Sequence, residues 1–150
     1  MSSLAAKNTI AAAARRESPL WGDALRDEPD WQPVFSPLAP ERFAVGLETV
    51  YEAYLVHYGR SRLFDSPGED ESVLLGDYLY AHGLVRITEA GGVEAVAIMA
   101  ELISRCASLR AVGADGDGDA WLDAVRALGG EPGGDDIERA LALHYGKVAR

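Results

Sequence analysis

Apolar residues repeated at helical spacing constrain the fold of this chain more than any other feature. Between residues 43 and 58 they recur mostly at intervals of three or four, and they are Phe43, Leu47, Val50, Tyr51, Tyr54, Leu55 and Tyr58. Such spacing lines one face of a helix, which we expect to begin near Pro40 and to end by the turn at 65–68. No stretch alternates apolar and polar residues over strand length between turn signals. We therefore predict an all-α fold, a compact bundle of about five to six helices.

A second helix is predicted to begin at a capping box formed by Ser66 and Glu69, with Pro67 at the first helical position. It is expected at the core of the bundle because its apolar residues fall on more than one face: Val73, Leu74, Leu75, Tyr78, Leu79, Ala81, Leu84, Val85 and Ile87. The Ala-Gly-Gly segment 90–92 should end it. A third helix is predicted over 93–113, with inward residues Val96, Met99, Leu102, Ile103, Cys106 and Leu109. Two long antiparallel helices joined by a short loop make a central helical hairpin.

The N-terminal part of the chain has a different character. Residues 3–16 are predicted to form an Ala-rich helix with a thin apolar face. Five of the seven prolines then fall within 19–40, together with three aromatic residues, Trp21, Trp31 and Phe35. This composition indicates an irregular arm that lies either on the domain itself or on a neighbouring chain. We therefore divide the chain into a helix and arm at 1–40 and a helical domain at 41–150.

Two shorter helices are predicted to finish the chain, at 119–128 and 135–145. The acidic run before the first of them, Asp115-Gly-Asp117-Gly-Asp119, looks like the opening of a calcium loop. It departs from that loop further on, because Ala120 occupies the place of the turn glycine and Arg126 that of the bidentate glutamate. We interpret the run as a flexible acidic linker that also caps the following helix.

Composition disfavours several classes of function. The formal net charge is −10, from 24 acidic and 14 basic residues, which disfavours nucleic acid and anionic membrane surfaces as partners. No apolar run approaches the roughly 18 residues of a membrane span, and the first residues do not read as a signal peptide. A cytoplasmic location is therefore expected. Cys106, the one cysteine, is interpreted as a small buried hydrophobe.

Motifs for conventional catalysis or cofactor binding are missing. The three histidines, His57, His82 and His144, lie on three different predicted helices, and none has a histidine or cysteine four residues away. A zinc site is therefore not predicted. The sequence contains no G-x-S-x-G elbow, no phosphate-binding loop and no dinucleotide fingerprint. We predict neither a metal site nor a cofactor.

One segment resembles a known family. The run Val73-Leu-Leu-Gly-Asp-Tyr-Leu-Tyr-Ala81 is similar to the helix of trans-polyprenyl diphosphate synthases that reads LLAGDYLLA. The similarity extends less sharply to the sequence ELISRCASLRAVG at 101–113 and covers roughly 43–113, about half of the chain. The resemblance implies a structure similar to part of the isoprenoid synthase fold. The alternative interpretation is a buried helix that matches by chance.

The resemblance also shows where the chain departs from the family. In such enzymes a preceding helix ends in a sequence like LLHDDxxD, whose aspartates hold magnesium ions against the substrate diphosphate. If His57 takes the place of the family histidine, the aspartate positions become Tyr58, Gly59 and Arg62. The family's basic loop is missing as well. A second aspartate motif is only imitated, by Asp135-Asp136, which we interpret as a helix cap.

Lacking both metal motifs, the chain resembles the small, non-catalytic subunit of two-component heptaprenyl or hexaprenyl diphosphate synthases. The resemblance implies an accessory protein that pairs with a catalytic polyprenyl diphosphate synthase chain, or with a copy of itself, and influences product length. The residues that it places at an interface or in a structural role are Leu75, Gly76, Asp77, Tyr78, Leu79, Ala81, Met99, Leu102 and Cys106.

Other interpretations stay open. A self-associating helical protein could bind a hydrophobic ligand in a cavity used for isoprenoid tails. Arg60 and Arg62 could bind an anion without metal, because guanidinium groups favour bidentate phosphate contacts; a solvated helix end is the more ordinary interpretation. An active isoprenoid-type enzyme could use an unfamiliar set of residues, Glu69, Asp70, Asp77 and His82.

Overall fold

A computed structural model describes residues 3–65 and 68–148 of the chain. In these residues the elements are six α-helices: α1 (Ser3–Glu17), α2 (Pro19–Ala24), α3 (Ala44–Tyr58), α4 (Glu69–Ala111), α5 (Asp117–Ala127) and α6 (Gly134–Val148). Short 3₁₀ turns occupy Ser36–Leu38 and Glu41–Phe43. The described residues form no strand, only an isolated bridge between Leu25 and Phe64. The predicted all-α fold is confirmed, while Ser66 and Pro67 of the predicted capping box lie outside the described residues.

The centre of the bundle is α3. Every residue from Ala44 to Leu55 is buried, because α1, α4 and α6 all pack against this helix. The helix containing residues 73–87, which was expected at the core, is buried only on its inner face, and Leu74 and Val85 on its outer side are exposed. Helix α3 carries two charged residues, Glu48 and Glu52, on the face outside its apolar stripe. A sequence pattern assigns such a charged face to solvent, so it did not predict that α3 is buried on all sides.

The long helix α4 is folded back on itself at Gly92, whose φ of 71° and ψ of −162° are not helical. Glycine reaches a positive φ without steric cost. The first arm of α4, residues 69–91, runs antiparallel to α3, since Ile87 lies against Gly46 and His57 against Gly76. The second arm, residues 93–111, runs parallel to α3, since Arg110 near its end lies over the rings of Tyr54 and Tyr58 near the end of α3. The predicted helical hairpin is therefore present.

Two helices end at other positions than expected, and for the last helix the predicted end is wrong. Helix α3 ends at Tyr58, well before the predicted turn at 65–68, and the backbone amide of Gly59 donates to the carbonyl of Leu55 at 2.9 Å. The intervening residues form a loop with little regular structure, which turns a side chain at position 62 into the core. Helix α6 extends to Val148, beyond the predicted end at 145.

The proline-rich arm lies on the chain's own helices. Phe35 stacks on Trp121 of α5 with ring centroids 5.4 Å apart, and its edge meets Tyr51 of α3. The preceding helix α1 buries Ile10 and Ala14 in a second cluster with residues of α3 and the first arm. Over the part of the chain that the structure describes, no helix has the length and apolar character needed to cross a membrane.

Candidate functional site

Most of the residues predicted for an interface or a structural role are packed inside the chain. These residues lie on the side of the hairpin that faces α3, and they are Leu75, Gly76, Leu79, Met99, Leu102 and Cys106. Burial raises the pKa of the Cys106 thiol to about 12, so this cysteine stays protonated and unreactive near neutral pH. These residues hold the two arms on α3, and none of them is available to a partner.

The other three predicted residues lie at the surface or close to it. Asp77 is exposed, and its carboxylate approaches the ring nitrogen Nε2 of His57 at 3.5 Å. Tyr78 is half-buried and stacks on the ring of His82, with centroids 5.6 Å apart. Ala81 is exposed on the same outer face as Asp77.

An apolar stripe on the first arm faces solvent. Leu74 is 59% exposed and Val85 is 55% exposed, and Ala81 lies between them. Their spacings of seven and four residues place all three on one side of the helix. We call Leu74, Ala81 and Val85 the exposed stripe. The sequence prediction missed it because the same helix is apolar on its inner face, which makes an outer apolar stripe look like more core.

Arg62, the position that the resemblance would align with a metal-binding aspartate, carries a buried cation. The guanidinium of Arg62 is 1% exposed, and it donates from Nη1 to Glu48 at 2.6 Å and from Nε to Glu52 at 2.8 Å. Burial acts to lower the pKa of Arg62, but the charges of Glu48 and Glu52 outweigh it and raise that pKa. Neither anion binding by this residue nor a solvated helix end describes its surroundings, and both predictions are wrong for Arg62.

Aromatic rings and further hydrogen bonds complete the surroundings of Arg62. Its guanidinium lies 4.1 Å from the ring centroid of Trp31 and 5.1 Å from that of Tyr51, distances at which a cation interacts with the ring face. Ser61 donates to Glu52, and the backbone amide of Arg62 donates to the same carboxylate at 3.1 Å. The result is an ion cluster that stabilises the loop after α3. The neighbouring Arg60 is exposed.

A second buried polar network joins α3, α5 and α6. Because the carboxylate of Asp117 can only accept, Nε2 of His144 donates to it, over 2.9 Å. Nδ1 of His144 can then accept from the hydroxyl of Tyr51, 2.8 Å away. Tyr54 also donates to Asp117, and Arg110 pairs with it at 3.0 Å. The interpretation of Asp117 as part of a flexible linker is wrong, since this residue begins α5 and is buried.

The Asp117 network gives the chain a defined response to acid. Burial acts to raise the pKa of Asp117, but hydrogen bonds from His144 and Tyr54, with the charge of Arg110, outweigh it and hold that pKa well below its ordinary value of 3.8. A carboxyl whose pKa is depressed by folding stabilises the fold above its unfolded pKa, and this contribution is lost as the pH falls towards the folded value.

We therefore expect the stability of the wild type to decrease below about pH 4, more steeply than that of Asp117→Asn. Urea denaturation at a series of pH values measures this, and the difference in unfolding free energy between the two proteins should narrow with acid. Asp119→Asn, a change at an exposed neighbour, serves as the control and should track the wild type. A constant difference between wild type and Asp117→Asn from pH 7 to pH 3 would contradict the assignment.

An apolar groove of about 380 Å³ lies between the second arm and α5. It exists because small side chains face each other across the two helices, and they are Ala97, Ala120, Ala124 and Ala127. Arg105 and Asp123 pair at 2.8 Å at its edge. In residues 3–65 and 68–148, the structure has no group of three or more His, Cys, Asp or Glu side chains arranged to hold a metal ion.

Comparison with known proteins found no similar protein. No family model, no curated protein and no solved structure matches the chain. The resemblance to polyprenyl diphosphate synthases therefore rests on the residues of the first arm and its surroundings alone.

Proposed function

We propose that this chain is a non-catalytic accessory subunit that pairs with a catalytic polyprenyl diphosphate synthase chain in the cytoplasm and influences the length of its product. The observation that carries the proposal is the exposed stripe. It lies on the helix whose sequence resembles the synthase helix, and it directs apolar side chains away from the chain's own core. Apolar side chains grouped on one exposed face are a feature of surfaces that bind other proteins.

The positions of the missing aspartates support a non-catalytic role. Tyr58 is half-buried, Gly59 is packed beside the end of α6, and Arg62 is buried among carboxylates. A magnesium site needs closely spaced oxygen ligands that face the substrate. At these three positions the chain has a tyrosine, a glycine and an arginine that is already paired with two glutamates. A partner would therefore have to supply the metal site.

Complex formation tests the proposal. We expect the chain to co-purify with a catalytic long-chain polyprenyl diphosphate synthase from the same genome when the two are co-expressed. The double variant Leu74→Asp/Val85→Asp should lose the complex, because two carboxylates would have to be desolvated at the interface. Both side chains are already exposed, so we expect the fold to keep its stability to within about 1 kcal/mol.

A matched control carries the same two charges elsewhere. Val93 and Val112 are 81% and 77% exposed and lie outside the exposed stripe, so Val93→Asp/Val112→Asp should bind as the wild type does. If both double variants bind equally well, the stripe is not the interface. If the wild type forms only a homodimer that the stripe variant disrupts, the partner is a second copy of the chain.

A second candidate function is favoured by the apolar groove between the second arm and α5. Its volume of about 380 Å³ falls within the range of small-molecule sites, which suits a self-associating protein that binds a hydrophobic ligand. Native mass spectrometry of the purified chain separates the two functions. A homodimer that carries a bound lipid favours the second candidate, whereas a ligand-free chain that binds a synthase favours the first.

A further inference from the structure

A cleft rich in cations lies where three distant parts of this acidic chain meet. It has a volume of about 280 Å³ and is lined by Arg26, Asp30, Arg60, Ser61, Arg62 and Lys147. Arg26 follows α2, Arg60 follows α3, and Lys147 lies near the end of α6. Four of the chain's 14 basic residues therefore line one cleft in a protein of net charge −10.

Lys147 is the residue that most needs a partner. It is only 6% exposed, yet among residues 3–65 and 68–148 no carboxylate lies within ion-pair distance of its ammonium group. Burial lowers the pKa of Lys147, and the nearby charges of Arg62 and Arg60 act in the same direction. The ammonium group lies in the lining of the cleft, so an anion bound there would offset the repulsion between this cation and the two arginines.

Arg26 also has a donor group that makes no hydrogen bond in the described part of the chain. Its Nη1 pairs with the exposed Asp65 at 3.1 Å, but its Nε is buried and has no hydrogen-bond partner in the described part of the chain. Arg62 differs from both, because it is already paired with two carboxylates, Glu48 and Glu52. The donors left for a ligand are those of Arg26, Arg60 and Lys147.

The charge in the cleft favours an anion. Asp30 is the one carboxylate in the lining, and it acts to raise the pKa of Lys147, so it lies near enough to offset part of the positive charge. Arg60 and Lys147 against Asp30 leave one net positive charge, and Arg26, paired with the exposed Asp65, lines the cleft beside them. Guanidinium groups bind phosphate oxygens through charge-assisted hydrogen bonds, which are about twice as strong as neutral ones.

An apolar compartment adjoins the cationic cleft. It has a volume of about 200 Å³, shares Arg26, Arg60 and Ser61 with the cleft, and is otherwise lined mainly by apolar side chains, Leu55, Val56, Phe64 and Leu75. A ligand with a phosphate in the cleft can therefore place a compact apolar group next to it. Such a ligand should bind more tightly than phosphate alone, because burying apolar surface adds to the affinity.

We propose that this cleft binds a small phosphate-bearing ligand, with Arg60, Lys147 and Arg26 as its donors and the adjoining compartment as the site of a compact apolar group. The site is separate from the exposed stripe, and its test is independent of any protein partner. The probes are inorganic phosphate and phenyl phosphate, titrated calorimetrically into the purified chain against sodium chloride of equal ionic strength.

We expect both probes to bind the wild type, and phenyl phosphate more tightly. Arg60→Gln should weaken phosphate binding about tenfold, the loss of one charge-assisted contact, and Lys147→Met should weaken it at least as much. Arg60 is exposed, so its variant should fold normally. Arg139→Gln, a change at a cation 72% exposed in its side chain on α6, is the control and should bind phosphate as the wild type does.

Two results would overturn the site. One is a phosphate titration of the wild type that equals the chloride titration. The other is equal phosphate affinity of the wild type and Arg60→Gln. If phosphate binds as expected but phenyl phosphate binds no more tightly, the anion site stands and the apolar compartment is not part of it.

Discussion

Replacing Arg62 with methionine should destabilise the chain by about 3–5 kcal/mol, the effect of removing one partner from a buried ion pair. Glu48 and Glu52 would be left buried, at 1% and 0% exposure, without the cation that compensates them. Methionine keeps the aliphatic part of the side chain, so most of the loss should come from the charge. The free energy of unfolding in urea at neutral pH measures it.

The neighbouring arginine provides the control for this change. Arg60→Met removes the same charge from an exposed side chain two residues away, and such surface changes usually alter stability by less than about 0.5 kcal/mol. If Arg62→Met costs no more than Arg60→Met, the ion cluster is not what holds the loop after α3 in place. A partial recovery in Glu52→Gln/Arg62→Met would identify the uncompensated carboxylate as the cause.

Adding a single methyl group at Gly83 should destabilise the chain by about 1–3 kcal/mol, the usual cost of overpacking a core. A Cβ at this position of the first arm would lie 2.6 Å from Cγ2 of Val50 and 3.1 Å from its backbone nitrogen. The backbone of α3 cannot move away without disturbing its other contacts. This loss outweighs the gain of up to about 1 kcal/mol that alanine brings to a helix.

Gly146→Ala is the matched control, because it adds the same methyl group at a helical position where no other atom is close. Gly146 is also within a helix, α6, but a Cβ there would meet nothing within 4 Å. This variant should therefore keep its stability or gain up to about 1 kcal/mol from helix propensity. Thermal unfolding should give a midpoint below that of the wild type for Gly83→Ala, and a midpoint equal to or above that of the wild type for Gly146→Ala. Equal midpoints would contradict a close approach of the first arm and α3 at Gly83.

The hairpin was accessible to sequence reasoning because its signals are local. Apolar spacing marks each arm, and the glycines at 91 and 92 mark the turn between them. Gly76 and Gly83, seven residues apart on the inner face, lie where the structure brings the first arm close to α3, and the sequence analysis did not use this spacing. The end of α3 was harder to predict from the sequence, since residues 59–65 contain no strong helix-breaking pattern beyond Gly59.

The polar clusters were not accessible, because their members are distant in the sequence. Arg62 lies 10 residues from Glu52 and 14 from Glu48, and a tight loop brings them together. Asp117 and His144 are separated by 27 residues. A periodicity argument assigns charged residues to solvent one helix at a time, so it cannot recognise charges that neutralise one another in the core. The same limit concealed the cationic cleft, whose residues come from three parts of the chain.

The product distribution of a catalytic long-chain polyprenyl diphosphate synthase, measured with and without this chain, tests the proposed function most directly. With the wild type we expect a shift in the length of the prenyl product, and with Val93→Asp/Val112→Asp the same shift. With Leu74→Asp/Val85→Asp the distribution should return to that of the synthase alone. A distribution that the wild type leaves unchanged, or that the stripe variant shifts as fully as the wild type does, would contradict the account.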